Sequence, residues 1–311
     1  MNPDRQVRIC GGRIILKNEP IRHHYVPQFI LRNFSNEKGF VNYFDKTTNM
    51  VTSRETRNVF MERNLYRDEI NYIENPTQIE TDLSRFEREI SQILREKFYV
   101  GDRIFLTKED DEKLKLFFAI MGFRSYSTMF QFSKGMKSDS KKMYSKYQNN
   151  GDLQDLWKRN LGYLINCRSL EDVLGHKEID APIKFFMSRD VCGLFDQHWV
   201  VLEKKEGNSF IIGDVYPTVV TGTTTQGSIL RMYSINPISP SRVILLVENG
   251  VENTPSHVLG FRQTILYKPQ WNSDKQVTSI RVKKIYPEEV KGINNSIANA
   301  AQKGIVFYKE K

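Results

Sequence analysis

The chain lacks most of the features that would place it quickly. Its three cysteines, Cys10, Cys167 and Cys192, are an odd number without C-x-x-C spacing. Neither a disulfide framework nor a cysteine zinc site is expected from them, and reduced, mostly buried thiols are. No stretch approaches the roughly 20 apolar residues of a membrane span, and Met1 to Leu16 lacks the apolar core and small-residue cleavage site of a secretory signal. The expectation is a soluble cytoplasmic protein. No sequence period of about 20–50 residues recurs and no low-complexity tract stands out, which argues against solenoids. Walker A, G-x-G-x-x-G, G-x-S-x-G and H-E-x-x-H are all missing, which counts against the common nucleotide-binding, hydrolase and metalloprotease readings.

What is present is an aromatic-rich and basic composition. Of 311 residues, 39% are hydrophobic and 12% aromatic, with 19 Phe and 14 Tyr, enough for a real core. Lys and Arg number 46 against 37 Asp and Glu, a formal charge of +9. A positive field concentrates polyanions, so nucleic acid, nucleotides or an anionic surface are favoured partners, nucleic acid first and membrane not expected. The alternative is a basic surface that only keeps the protein soluble.

Patterning predicts an α+β fold, a helical middle packed against a mostly antiparallel sheet built from N- and C-terminal segments. The expected organisation is a single compact domain over 1–311. Its parts are a β and short-helix region at 13–73, a helical region at 75–190 and a β-rich region with a final helix at 198–311. Arg13 to Leu16 suits a short strand, Pro27 the first turn of a short helix, and Gly39 to Asp45 with Met50 to Ser53 a hairpin. Thr77 and Glu80 have capping-box spacing, and Ile79, Leu83, Phe86 and Ile90 repeat at helical intervals behind them. Further helices are expected from Thr107 to about Phe132 and from Leu153 to Asn166, separated by a Lys- and Ser-rich excursion over Lys134 to Asn150. Trp199 to Glu203 and Ser209 to Gly213 flank Gly207-Asn208 as a second possible hairpin, and Arg242 to Glu248 is a strand. Pro287 opens a last helix, followed by a strand from Ile305 to Tyr308.

Three constellations carry possible chemistry. His23 and His24 stand at a helix entrance, where the dipole disfavours imidazolium and leaves a neutral ring to accept a proton or bind a metal. Adjacent residues seldom point the same way, so one acts while the other packs. Arg124 lies at helical spacing from Leu114, Phe117 and Met121, on an apolar face, and a buried guanidinium must be paired with a structural carboxylate or an anionic ligand. Glu80 and Glu87 are two turns apart on one helix face, and Asp214 ends the strand Phe210-Ile211-Ile212-Gly213. For the two Glu the competing reading is solvated charge, and for Asp214 a turn cap.

The string from His23 to Phe34, HHYVPQFILRNF, resembles the N-terminal signature of domain-of-unknown-function family 4238. Later landmarks agree in order: Tyr43-Phe44-Asp45-Lys46, Asn64-Leu65-Tyr66, the Glu80 helix, Phe123-Arg124-Ser125, Phe210 to Pro217, Pro237-Ile238-Ser239-Pro240 and Asn294. Val215-Tyr216 is bulkier than the family pattern after Asp214. The resemblance implies a bacterial group with a mobile-element style of distribution, hence defence or toxin biology by association, and no settled activity.

The function expected from the residues is phosphodiester hydrolysis. His23 or His24 would serve as base or metal ligand, Asp214 and Glu80 as metal ligands or proton carriers, with Mg or Mn the candidate metals, and Arg124 as stabiliser of developing charge. The alternatives are a non-enzymatic nucleic-acid-binding or regulatory module with a structural His pair, and a protein-interaction component of a defence or toxin system contacting its partner through Lys134 to Asn150.

Overall fold

The computed structural model describes residues 6–10, 13–17, 22–125, 128–129, 153–181, 183–184, 197–223, 229–259 and 261–308. Its strands are β1 (Gln6–Cys10), β2 (Arg13–Lys17), β3 (Arg22–His24), β4 (Phe40–Asp45), β5 (Met50–Glu55), β6 (Met61–Arg63), β7 (Arg103–Thr107) and β8 (His198–Lys204). The remainder are β9 (Ile211–Gly213), β10 (Thr218–Thr223), β11 (Ile229–Pro237), β12 (Arg242–Val247), β13 (Gln270–Asn272), β14 (Val277–Ile285) and β15 (Gly304–Phe307). The helices are α1 (Gln28–Leu31), α2 (Gln78–Lys97), α3 (Lys108–Phe123), α4 (Leu153–Ile165), α5 (Leu170–Gly175), α6 (Ser256–Leu259) and α7 (Pro287–Ala300).

The fold is α+β with mostly antiparallel strands. A seven-stranded sheet runs β10-β11-β12-β8-β14-β13, with β7 also on β14, and a four-stranded sheet runs β5-β4-β15-β9. The second sheet joins the two ends of the chain, because β15 lies between β4 and β9. One pair, β14 on β8, is parallel. The Gly207-Asn208 turn does not make a hairpin: β8 pairs with β12 and β14, while β9 crosses to β15 in the other sheet. Turn chemistry favoured local pairing, but long-range partners bury both faces of β8, whose first five residues are all buried.

α2 forms as its spacing predicts. Ile79, Leu83, Phe86, Ile90 and Leu94 are all buried, and each such side chain contributes about 2 kcal/mol by leaving water. The expected capping box at its start is not made. Thr77 occupies the N-cap without a side-chain cap bond, and its hydroxyl donates to Asn75 Oδ1 at 3.1 Å. The box is found instead at Thr107, whose side chain accepts from the Asp110 amide while the Asp110 carboxylate accepts from the Thr107 amide. Glu80 is thereby left out of capping.

α3 ends at Phe123, well short of Phe132, and Arg124 follows as its C-cap. At the other end of α2, Arg242 donates to the carbonyls of Phe98 and Gly101, both at 2.6 Å, and pairs with Glu203. These bonds pin the turn that leads into β7. The Lys134 to Asn150 stretch lies outside the described residues. Among the described residues no helix is long and apolar enough to cross a membrane.

Candidate functional site

The two histidines of β3 separate as alternation in a strand requires. His23 is fully buried, its ring stacked on Tyr66 with centroids 5.4 Å apart. The Tyr66 amide donates to His23 Nδ1 at 2.7 Å, which makes Nδ1 the acceptor. His23 is therefore a packing residue.

His24 is only half-buried. Burial lowers its pKa to about 4, helped by the nearby charges of Arg124 and Arg32 and by His23, against a hydrogen bond to the Thr56 backbone. The neutral ring is contacted by the Gln28 amide at 3.1 Å, and Gln28 is itself held by Arg32 at 2.9 Å. Its backbone carbonyl accepts from Tyr66 Oη at 3.0 Å and from Arg124 Nη2 at 2.7 Å.

Arg124 is 1% exposed. Its position at the end of α3 is fixed by Trp157, whose Nε1 donates to the Phe123 carbonyl at 3.0 Å and whose ring stacks on Tyr66. Nη1 pairs with Glu87 Oε1 at 2.6 Å, and Nε is buried without a partner. Burial alone would discourage the charge, but Tyr66, Glu87 and Glu80 around it more than offset this and its pKa rises. Tyr66, fully buried beside it, has its phenol pushed up by burial.

Glu80 completes the group. It lies in the first turn of α2, two turns before Glu87, half-buried and without a hydrogen bond among the described residues. Burial, then the Glu87 carboxylate, raises its pKa to about 8, against the pull of Arg124. His24 is thus shifted towards its neutral form and Glu80 towards its protonated form, and both feel the fixed cation of Arg124.

Asp214 is engaged elsewhere. Its two oxygens accept from the amides of Gln302 at 2.8 Å and Lys303 at 2.9 Å, where the chain turns from α7 into β15. It holds backbone, as a turn cap does. Among the described residues no group of three or more His, Cys, Asp and Glu is arranged to hold a metal ion, so the donor set does not fit the expected Mg or Mn. Tyr66 is the participant that residue chemistry did not single out, although it stands in the Asn64-Leu65-Tyr66 landmark.

The fold is an α+β one in which His23, Tyr66, Trp157 and Arg124 pack together, with Arg124 bridging the His24 carbonyl and Glu87. The chain belongs to the family described as protein of unknown function, DUF4238, whose model matches residues 22–311. No curated protein and no solved structure matches it.

Proposed function

We propose that the protein is a phosphodiester-cleaving hydrolase that uses acid/base chemistry without a metal step. The observation that carries this is the buried Arg124 guanidinium, whose Nη2 holds the His24 carbonyl at 2.7 Å and whose Nη1 holds Glu87 at 2.6 Å on the helix that also carries the half-buried Glu80; the shifts of His24 downward and Glu80 upward agree with it. His24 takes the proton of the attacking hydroxyl or water once the substrate displaces the Gln28 amide, and Glu80 donates to the leaving oxygen. Arg124 acts as a positioning residue. Its terminal nitrogens are occupied by Glu87 and the His24 carbonyl, so it orients the His24 backbone and sets the local field rather than binding phosphate. The net charge of +9 favours a nucleic-acid substrate. A place in bacterial defence or toxin biology rests on family association alone.

The test is incubation of the purified protein with RNA, single-stranded DNA and duplex DNA, with and without Mg²⁺ or Mn²⁺. Cleavage is expected without metal, abolished by His24→Ala and reduced by Glu80→Gln, with both variants folded. Intact substrates under every condition, or wild-type cleavage by His24→Ala, would overturn it. The second reading is a non-enzymatic nucleic-acid-binding module, and the observation in its favour is that Arg124 is consumed within the fold. Salt-sensitive binding indifferent to His24→Ala, without cleavage, would establish that alternative.

A further inference from the structure

A second basic region lies at the far end of α2. Burial along β7 alternates, with Ile104 and Leu106 inside and Arg103, Phe105 and Thr107 outside. Residues directly opposite in an antiparallel pair share a face, and Arg103 stands opposite Arg281 while Phe105 stands opposite Ser279. Gln270 of β13 is opposite Ser279 on the other side, and Lys283 follows Arg281 on the same face. The outward surface of β7–β14–β13 therefore carries Arg103, Arg281 and Lys283 around an exposed Phe105, 42% accessible. Lys275 Nζ lies 5.8 Å from the Phe105 ring.

These charges are poorly compensated. Neighbouring cations are paired, Arg262 with Glu289, Lys268 with Glu252 and Lys97 with Asp110. Arg103, Arg281, Lys275 and Lys283 have no ion pair among the described residues, although Asp102 lines the same cleft. Two arginines directly opposite on adjacent strands repel each other, an arrangement that costs stability unless an anion lies across them. Lys283 donates to the Thr264 carbonyl, and burial, Arg262 and Arg281 lower its pKa against the pull of Glu289.

The surface is also recessed. A cleft of about 600 Å³ is lined by Asp102, Tyr267, Arg281, Val282, Lys283 and Lys284. The Tyr267 ring lies 5.5 Å from Lys283 Nζ. The Arg242 bonds to Phe98 and Gly101 hold the turn before Asp102, so this wall is built in advance.

We infer that this face binds single-stranded nucleic acid, with Arg103, Arg281 and Lys283 meeting phosphates and Phe105 and Tyr267 offering rings to unstacked bases. Cations that follow a backbone and aromatic rings that accept any base are the two elements of sequence-tolerant single-strand binding. An exposed ring on an open sheet face favours splayed bases over a duplex, whose bases are already stacked. The surface stands on its own geometry and not on the cleavage reading. Glu80 and Lys97, at opposite ends of α2, are 17 positions apart, about 25 Å along the axis.

The experiment is fluorescence anisotropy of the full chain with a fluorescein-labelled oligouridylate, a labelled oligothymidylate, a duplex of matched length and phosphatidylserine vesicles, over about 50–200 mM salt. Single strands are expected to bind more tightly than duplex or vesicles. The pair Arg281→Glu with Lys283→Glu should weaken binding at least about tenfold and flatten the salt slope by about 1.4, roughly 0.7 per lost phosphate contact. Phe105→Ala should weaken it about tenfold with the slope unchanged. Cleavage by His24→Ala is measured in a separate assay, so loss of cleavage and loss of this surface are read separately. Absent single-strand binding, preference for duplex or vesicles, or variants that are folded by circular dichroism yet bind like wild type would overturn the inference.

Discussion

The two ends of α2 handle positive charge in opposite ways. At its start Arg124 is sealed in and matched by Glu87, a carbonyl and an aromatic ring. Beyond its end Arg103, Arg281 and Lys283 lie on the outward face of their sheet and make no ion pair among the described residues. A buried cation organises the groups around it, whereas an unmatched exposed one waits for an anion. The difference teaches that net charge favours a class of partner without locating it, and that the location depends on which cations the fold has already used.

The sharpest way to break the comparison is to remove the buried member. Arg124→Met should cost about 3–5 kcal/mol in urea unfolding, because the Glu87 carboxylate and the His24 carbonyl lose their partner. A loss below about 1 kcal/mol would mean that the junction is not held by this ion pair. Asp214→Ala should cost about 2 kcal/mol by stranding the Gln302 and Lys303 amides, and should leave any cleavage intact when assayed below the melting transition.

The titrations sharpen it further. Glu80 binds its proton more tightly in the native state, so it lowers stability as pH rises from about 4.5 through about 8. His24 binds its proton less tightly when folded, so its contribution is lost as pH falls from 6.5 through about 4. Between 4.5 and 6.5 the two slopes oppose each other, and above 6.5 Glu80 acts alone. Urea midpoints for Glu80→Gln should therefore lose the decline between pH 6.5 and 8, and a decline of unchanged size would remove Glu80 from the pair. The smallest effect is expected on the exposed face. Arg281→Glu should change stability by less than about 0.5 kcal/mol, and in the stabilising direction, because it removes the like-charge contact with Arg103.

Much of this was legible before any coordinates. Apolar repeats gave α2, α4 and α7, whereas the histidines were read at a helix entrance and stand in strand β3, which sends one inward and leaves the other half-buried. Arg124 was marked by its position on an apolar helix face and Glu80 and Glu87 by theirs beside one, and Arg124 pairs with Glu87. The failures were those in which another partner outbid the expected one. Thr77 gave its hydroxyl to Asn75, a local competitor two positions away, so Glu80 was not a capping residue. Gly207-Asn208 looked like a hairpin turn, yet β9 paired with the far end of the chain. Asp214 resembled a strand-end catalytic carboxylate until Gln302 and Lys303, nearly ninety positions away, claimed both oxygens. The outward face of β7 was invisible because that strand was not anticipated, and its partner β14 comes from a distant part of the sequence.

The reversed acid and base at the Arg124 junction can be read directly by carbon NMR of protein labelled at its glutamate carboxyls, with Glu80→Gln identifying the signal. The account predicts a Glu80 midpoint near 8, leaving the group protonated at neutral pH. A midpoint at the ordinary carboxylate value near 4.5 would contradict it, since the junction would then hold no proton donor.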